Sequence, residues 1–120
     1  MNAIAELHGK RVLTYEQDQP TLASEQDAVD LLGDAFGAEA SVVVVPAERV
    51  APDFYRLSTR VAGEVVRKFQ MYQVLLVILG DVSEHVEASE NFRAFVDEIN
   101  RGKDIWFVAD AAQLSAKLSS

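Results

Sequence analysis

Ser41-Val42-Val43-Val44-Val45-Pro46 is the stretch on which the fold turns. Four successive valines with no polar residue between them have no solvent side. Such a run reads as a strand buried on both faces, the pattern of a central strand in a parallel sheet. Pro46 has no N–H to give to a ladder and is expected to stop it.

Downstream, Ala47–Ser58 reads as a loop, with Pro52, Asp53, Phe54 and Tyr55 near its middle. A helix is predicted from about Thr59 to Met71. Val61, Ala62, Val65, Val66 and Phe69 fall on one face, and Arg60, Glu64, Arg67 and Lys68 on the other. Gly63 within it is read as a bare spot that lets the helix approach the sheet. Val74–Leu79 is a second uninterrupted apolar run, closed by Gly80-Asp81. Ser89 is placed to cap a helix carrying Phe92, Phe95, Val96 and Ile99, which Gly102 closes. Ile105–Ala109 is a further strand ended by Asp110, and Ala111–Leu118 a short helix.

Upstream, Ser24 is a good N-cap, with Asp27 three residues on as a weak capping box. Ala28, Leu31, Leu32, Ala35 and Phe36 form the apolar face of that helix, and Gly37 is expected to end it in the left-handed conformation. A loop through Pro20 precedes it. Ala3–Leu7 and Arg11–Tyr15, joined by His8-Gly9-Lys10, read as an antiparallel hairpin. The order is ββαβαβαβα. Strands joined through helices run parallel with right-handed crossovers, and the hairpin makes the sheet mixed. The expected fold is therefore α/β: one layer of mixed, mostly parallel five-stranded sheet with helices packed on it, in one domain over residues 1–120.

Composition narrows the function. The chain has 120 residues, 49% of them hydrophobic, enough for a core without staples. It has no cysteine, which removes disulfides, thiolate metal sites and a cysteine nucleophile. Nineteen acidic and 11 basic residues give a formal charge of −8, a field that repels phosphate, so nucleic acid is not an expected partner. No apolar run reaches membrane-spanning length, and Met1–Glu6 lacks the basic and long apolar regions of a signal peptide, so the chain is expected in the cytoplasm and away from membranes. Glycine-rich phosphate loops, paired histidines on a helix and a nucleophile elbow are absent, and no cofactor is expected.

Several segments carry a resemblance. They are the strand ending in Pro46, Pro52-Asp53-Phe54-Tyr55, Leu57-Ser58-Thr59-Arg60-Val61-Ala62-Gly63-Glu64, Lys68-Phe69, Gly80-Asp81, and Arg101-Gly102 before Ile105-Trp106-Phe107-Val108-Ala109-Asp110. In these the chain resembles, over nearly its whole length, the bacterial family catalogued as domain of unknown function 4180. This chain has Arg60 where members of that family commonly carry glycine. The resemblance implies a fold and a bacterial source, and no activity. More remotely, the order of elements is similar to the sulfate-transporter and anti-sigma-antagonist (STAS) fold. In the partner-switching modules of that fold, a serine or threonine at the start of the helix after the third strand is phosphorylated by a partner kinase, which controls binding. Ser58 and Thr59 fall at that place, although the Asp-Ser-Gly-type motif is replaced by Leu57-Ser58-Thr59-Arg60.

Each candidate residue has a plain alternative role. Ser58 and Thr59 are ordinary N-cap residues; as regulated hydroxyls, they would have Arg56 and Arg60 beside them to pair with phosphate. Phe54 and Tyr55 either plug one end of the core or form a partner-facing patch. The carboxyl ends of parallel strands, where ligands of open α/β sheets sit, would carry Glu48, Asp53, Thr59, Asp81, Glu84, His85 and Asp110. Carboxylates there suit Mg²⁺ in chemistry, yet no ligand spacing singles out a metal site, and acidic residues after strands ordinarily cap turns. His8, in the hairpin turn, is expected to be solvated. His85 has no triad partner at readable spacing. The expectation is a non-enzymatic binding or regulatory module. It would meet a protein partner or a second copy through Asp53, Phe54, Tyr55, Arg56, Arg60 and Glu64. The alternative is a small-molecule binder or enzyme at the carboxyl edge, using Asp81, His85 and Asp110.

Overall fold

The computed structural model describes residues 3–15 and 22–119. Met1, Asn2 and the expected loop residue Pro20 lie outside them. The elements are β1 (Ala3–Leu7), β2 (Lys10–Thr14), α1 (Glu25–Gly37), β3 (Val42–Pro46), α2 (Pro52–Tyr55), α3 (Val61–Tyr72), β4 (Leu75–Leu79), α4 (Ser83–Ala88), α5 (Glu90–Ile99), β5 (Ile105–Val108) and α6 (Ala111–Ser119). Two 3₁₀ turns, Ala47–Arg49 and Leu57–Thr59, flank α2.

The sheet has five strands in the order β1-β2-β3-β4-β5. β1 and β2 are antiparallel, and every later pair is parallel. The hairpin turn is the two residues His8 (φ 52°) and Gly9 (φ 79°), both left-handed as a tight primed turn requires. This is the mixed, mostly parallel five-stranded sheet with packed helices, in the order expected from sequence.

Strand alternation sorts the core into two. Leu13, Tyr15, Val43, Val45, Leu76, Ile78, Ile105 and Phe107 point to one face, where they meet Leu31, Leu32, Ala62, Val65, Phe69 and Phe92 from α1, α3 and α5. Val12, Val42, Val44, Val77 and Val108 point to the other, covered by Leu114 and Leu118 of α6. The four valines are buried on both faces for this reason. A strand order equal to the sequence order, with right-handed crossovers, puts the connecting helices on one side. The second face is left to α6.

The helix ends follow local chemistry. Ser24 Oγ accepts from Asp27 N–H at 3.3 Å, and the Asp27 carboxylate accepts from Ala23 N–H at 2.7 Å. Ser89 Oγ accepts from Phe92 N–H at 3.2 Å. Tyr15 donates its hydroxyl proton to Asp34, tying β2 to α1.

Four expectations are corrected. Gly37 is the last helical residue of α1 rather than its left-handed stop; that conformation falls on Glu39 (φ 57°). Phe36 is 51% exposed, because the apolar stripe ends one turn earlier, and it meets Tyr72 edge to face at 5.7 Å. The helix expected from Thr59 begins at Val61, because Arg60 takes a left-handed conformation (φ 68°, ψ 3°) that breaks it from the preceding 3₁₀ turn. Gly63 is exposed, and an added Cβ would meet nothing within 4 Å, so it makes no close approach to the sheet.

Candidate functional site

The segment after β3 is built as a brace. Leu22 forms an isolated parallel bridge with Val50: its N–H donates to Arg49 O at 2.9 Å, and Ala51 N–H donates back to Leu22 O at 3.0 Å. On the other side, Gly80 (φ 143°) follows β4 so closely that a Cβ there would sit 2.9 Å from the Ala47 Cβ. Pro52 starts α2 at a position where its missing N–H costs no helical bond.

α2 sends its two aromatics inward. Phe54 is 0% and Tyr55 6% exposed. Phe54 packs among Tyr55 and Phe107, and Tyr55 lies edge to face with Phe92 at 5.7 Å. The Tyr55 hydroxyl donates to Ala47 O at 2.8 Å. Burial raises its pKa above the ordinary phenol value, so it remains a neutral brace. The aromatic partner-facing patch expected from sequence is therefore not on the surface: both rings are core.

Thr59 is engaged in the same way. Its hydroxyl lies 2.6 Å from Asp53 O and 2.8 Å from Arg56 O, and it accepts from Val61 N–H at 3.3 Å. A hydroxyl has one proton to give, and here backbone carbonyls take it. Ser58 is exposed beside it, as are Asp53, Arg56, Arg60 and Glu64.

The loop after β4 supplies the facing wall. It contains α4, too short for its periodicity to show in the sequence. His85 lies flat on Tyr55, ring centroids 3.8 Å apart and planes 7° apart. Between the two segments runs a cleft of about 430 Å³ whose lining includes Tyr55, Arg56, Ser58, His85, Ser89 and Asn91. It opens at the carboxyl edge of the sheet, between the connections that follow the adjacent strands β3 and β4, where ligands of such sheets sit.

The other expected edge residues do not join it. Asp81 accepts from Ser83 N–H at 2.9 Å. Hydrogen bonds from the Ser83 side chain and backbone hold its carboxyl below the ordinary value. Asp110 accepts from Gln113 N–H at 2.8 Å, while Gln113 Oε1 accepts from Ala109 N–H at 2.7 Å, a reciprocal cap on α6. Neither carboxylate lines the cleft that His85 lines. Among the described residues no three or more His, Asp or Glu side chains are grouped to hold a metal ion, and no helix is long and apolar enough to cross a membrane. His8 is exposed, with Nε2 2.9 Å from Ser115 Oγ.

Sequence reasoning missed Ser89 and Asn91 as cleft residues. Their signal was the cap of α5, and only the fold of α4 turns that junction toward Ser58. Residues 7–118 match the family model described as Domain of unknown function (DUF4180), and the chain belongs to that family. No curated protein and no solved structure matches.

Proposed function

We propose, for this member of the DUF4180 family, a non-enzymatic regulatory module that binds a protein partner through Arg56, Ser58, Arg60 and Glu64 and the cleft beside them. The observation that carries the reading is the contrast within one short segment. Phe54 and Tyr55 are sunk into the core, with His85 stacked on Tyr55, while Asp53, Arg56 and Ser58 around them stand exposed. A preorganised surface loses less entropy on binding than a mobile one. Two arginines flanking an exposed serine also suit charge-assisted recognition of a phosphate or carboxylate.

The non-enzymatic part rests on the hydroxyls and carboxylates nearby. Tyr55, Thr59, Asp81 and Asp110 each bond backbone groups, and each would have to release that bond before serving a substrate. The STAS-like reading draws on the shared element order. It makes Ser58, rather than the backbone-bound Thr59, the hydroxyl a kinase would modify.

The test is affinity capture from a source-cell extract with wild type beside Arg56→Glu/Arg60→Glu, and mass spectrometry of bait and captured proteins. The expected result is one partner lost on charge reversal, with its retention dependent on phosphate at Ser58. Identical captured sets, with Ser58 unmodified, would overturn the reading. A second reading, a small ligand held in the cleft, is favoured by its position at the carboxyl edge; it predicts binding that survives Arg60→Glu and is lost in Ser89→Trp.

A further inference from the structure

A second groove, of about 690 Å³, lies at the opposite edge of the sheet, where Ser41 and Leu75 mark the amino-terminal ends of β3 and β4. Its cationic lining is Lys10, Arg101, Lys103 and Lys117, and among the described residues no Asp or Glu lines it. Four of the chain's 11 basic residues thus face one concavity on a molecule of net charge −8. Lys10, Arg101 and Lys103 are exposed and make no ion pair among the described residues.

The wall is fixed. Trp106 Nε1 donates to Gly102 O at 2.8 Å. Lys117 donates to Asn100 O at 3.0 Å, and its Nζ stands 4.7 Å from the centre of the Trp106 ring. Asn100 in turn brackets Phe107, accepting from its N–H at 2.7 Å and donating to its carbonyl at 3.3 Å. Trp106 and Leu118 give the same groove an apolar side.

We propose that this groove binds a small organic polyanion, a partly apolar body carrying more than one phosphate or carboxylate group. The size fits, since small-molecule sites run to roughly 300–1,000 Å³ with an apolar wall and a few convergent polar groups. The charge selects against large polyanions. A nucleic acid or anionic membrane extends beyond the groove and meets the field of a molecule of net charge −8, which repels it. A ligand held inside the groove sits within reach of its cations, while the rest of the surface is screened over about 8 Å at physiological ionic strength.

Trp106 is the only tryptophan, so intrinsic fluorescence reports on this groove directly. The experiment titrates the full chain with pyrophosphate and with adenosine diphosphate, with sodium chloride matched in ionic strength, and repeats each titration by calorimetry. Wild type is compared with Arg101→Ala/Lys103→Ala. The expected result is a saturable change at submillimolar ligand, weakened at least tenfold in the double variant and by added salt. No saturable signal at millimolar concentration, equal binding by the variant, or the same response to sodium chloride would overturn the proposal. So would a stronger response to a single-stranded oligonucleotide or to phosphatidylglycerol vesicles than to either small anion. Protein concentration-dependent fluorescence without ligand would also overturn it, in favour of a second copy of the chain in the groove.

Discussion

The two edges of the sheet use their polar residues differently. At the carboxyl edge, groups of catalytic type are spent on the fold: Thr59 holds two carbonyls, Tyr55 braces Ala47, and Asp81 and Asp110 cap turns. At the amino edge, the side chains of Lys10, Arg101 and Lys103 make no ion pair among the described residues. Side-chain chemistry suggestive of function is therefore weaker evidence at the first edge than at the second. A residue already bonded to backbone must release that bond before it can serve a ligand.

The sharpest way to break this contrast is Phe54→Ala. If the segment after β3 stands on its buried ring, the variant loses about 3–5 kcal/mol, as for other buried aromatic truncations, measured by urea unfolding. A loss below about 1 kcal/mol, the scale of ordinary surface changes, would mean that the brace is not structural. Next is Gly80→Ala, which forces a Cβ to within 2.9 Å of the Ala47 Cβ at φ 143°. Overpacking of this kind costs about 1–3 kcal/mol before backbone strain is added, and a neutral result would show that Ala47 can retreat. Arg60→Gly should go the other way. A side chain at φ 68° pays about 1–2 kcal/mol, so glycine is expected to raise stability by about 0.5–1 kcal/mol once its greater unfolded freedom is subtracted. The smallest effect belongs to the other edge: Arg101→Ala/Lys103→Ala should leave the unfolding midpoint within about 0.5 kcal/mol of wild type, as exposed, unpaired residues do.

The two buried runs were legible because they leave no solvent face to assign. The caps at Ser24 and Ser89 were legible because an N-cap is a local interaction. α2 and α4 were not, since helices of four and six residues complete too few turns for a period to register. The burial of Phe54 and Tyr55 cannot be read from the chain alone, because an aromatic in a loop can turn either way until its neighbours are placed. The left-handed backbone of Arg60 has no signal in the residue itself, since arginine is not a type that favours that conformation. The amino-edge groove had no linear signal at all. It joins Lys10 to Lys117, more than a hundred residues apart, and only the return of α6 across the sheet brings them together.

The strand order β1-β2-β3-β4-β5 also bears on how the chain folds. Each strand pairs with the one before it, and none must be inserted between two already joined. Closing a loop costs entropy that rises with its length, and topologies rich in sequence-local contacts fold faster than those that wait for distant partners. This sheet can grow by adding one strand at a time to an open edge. Each addition brings a helix that covers the same side, so the valine face stays bare until α6 swings across it.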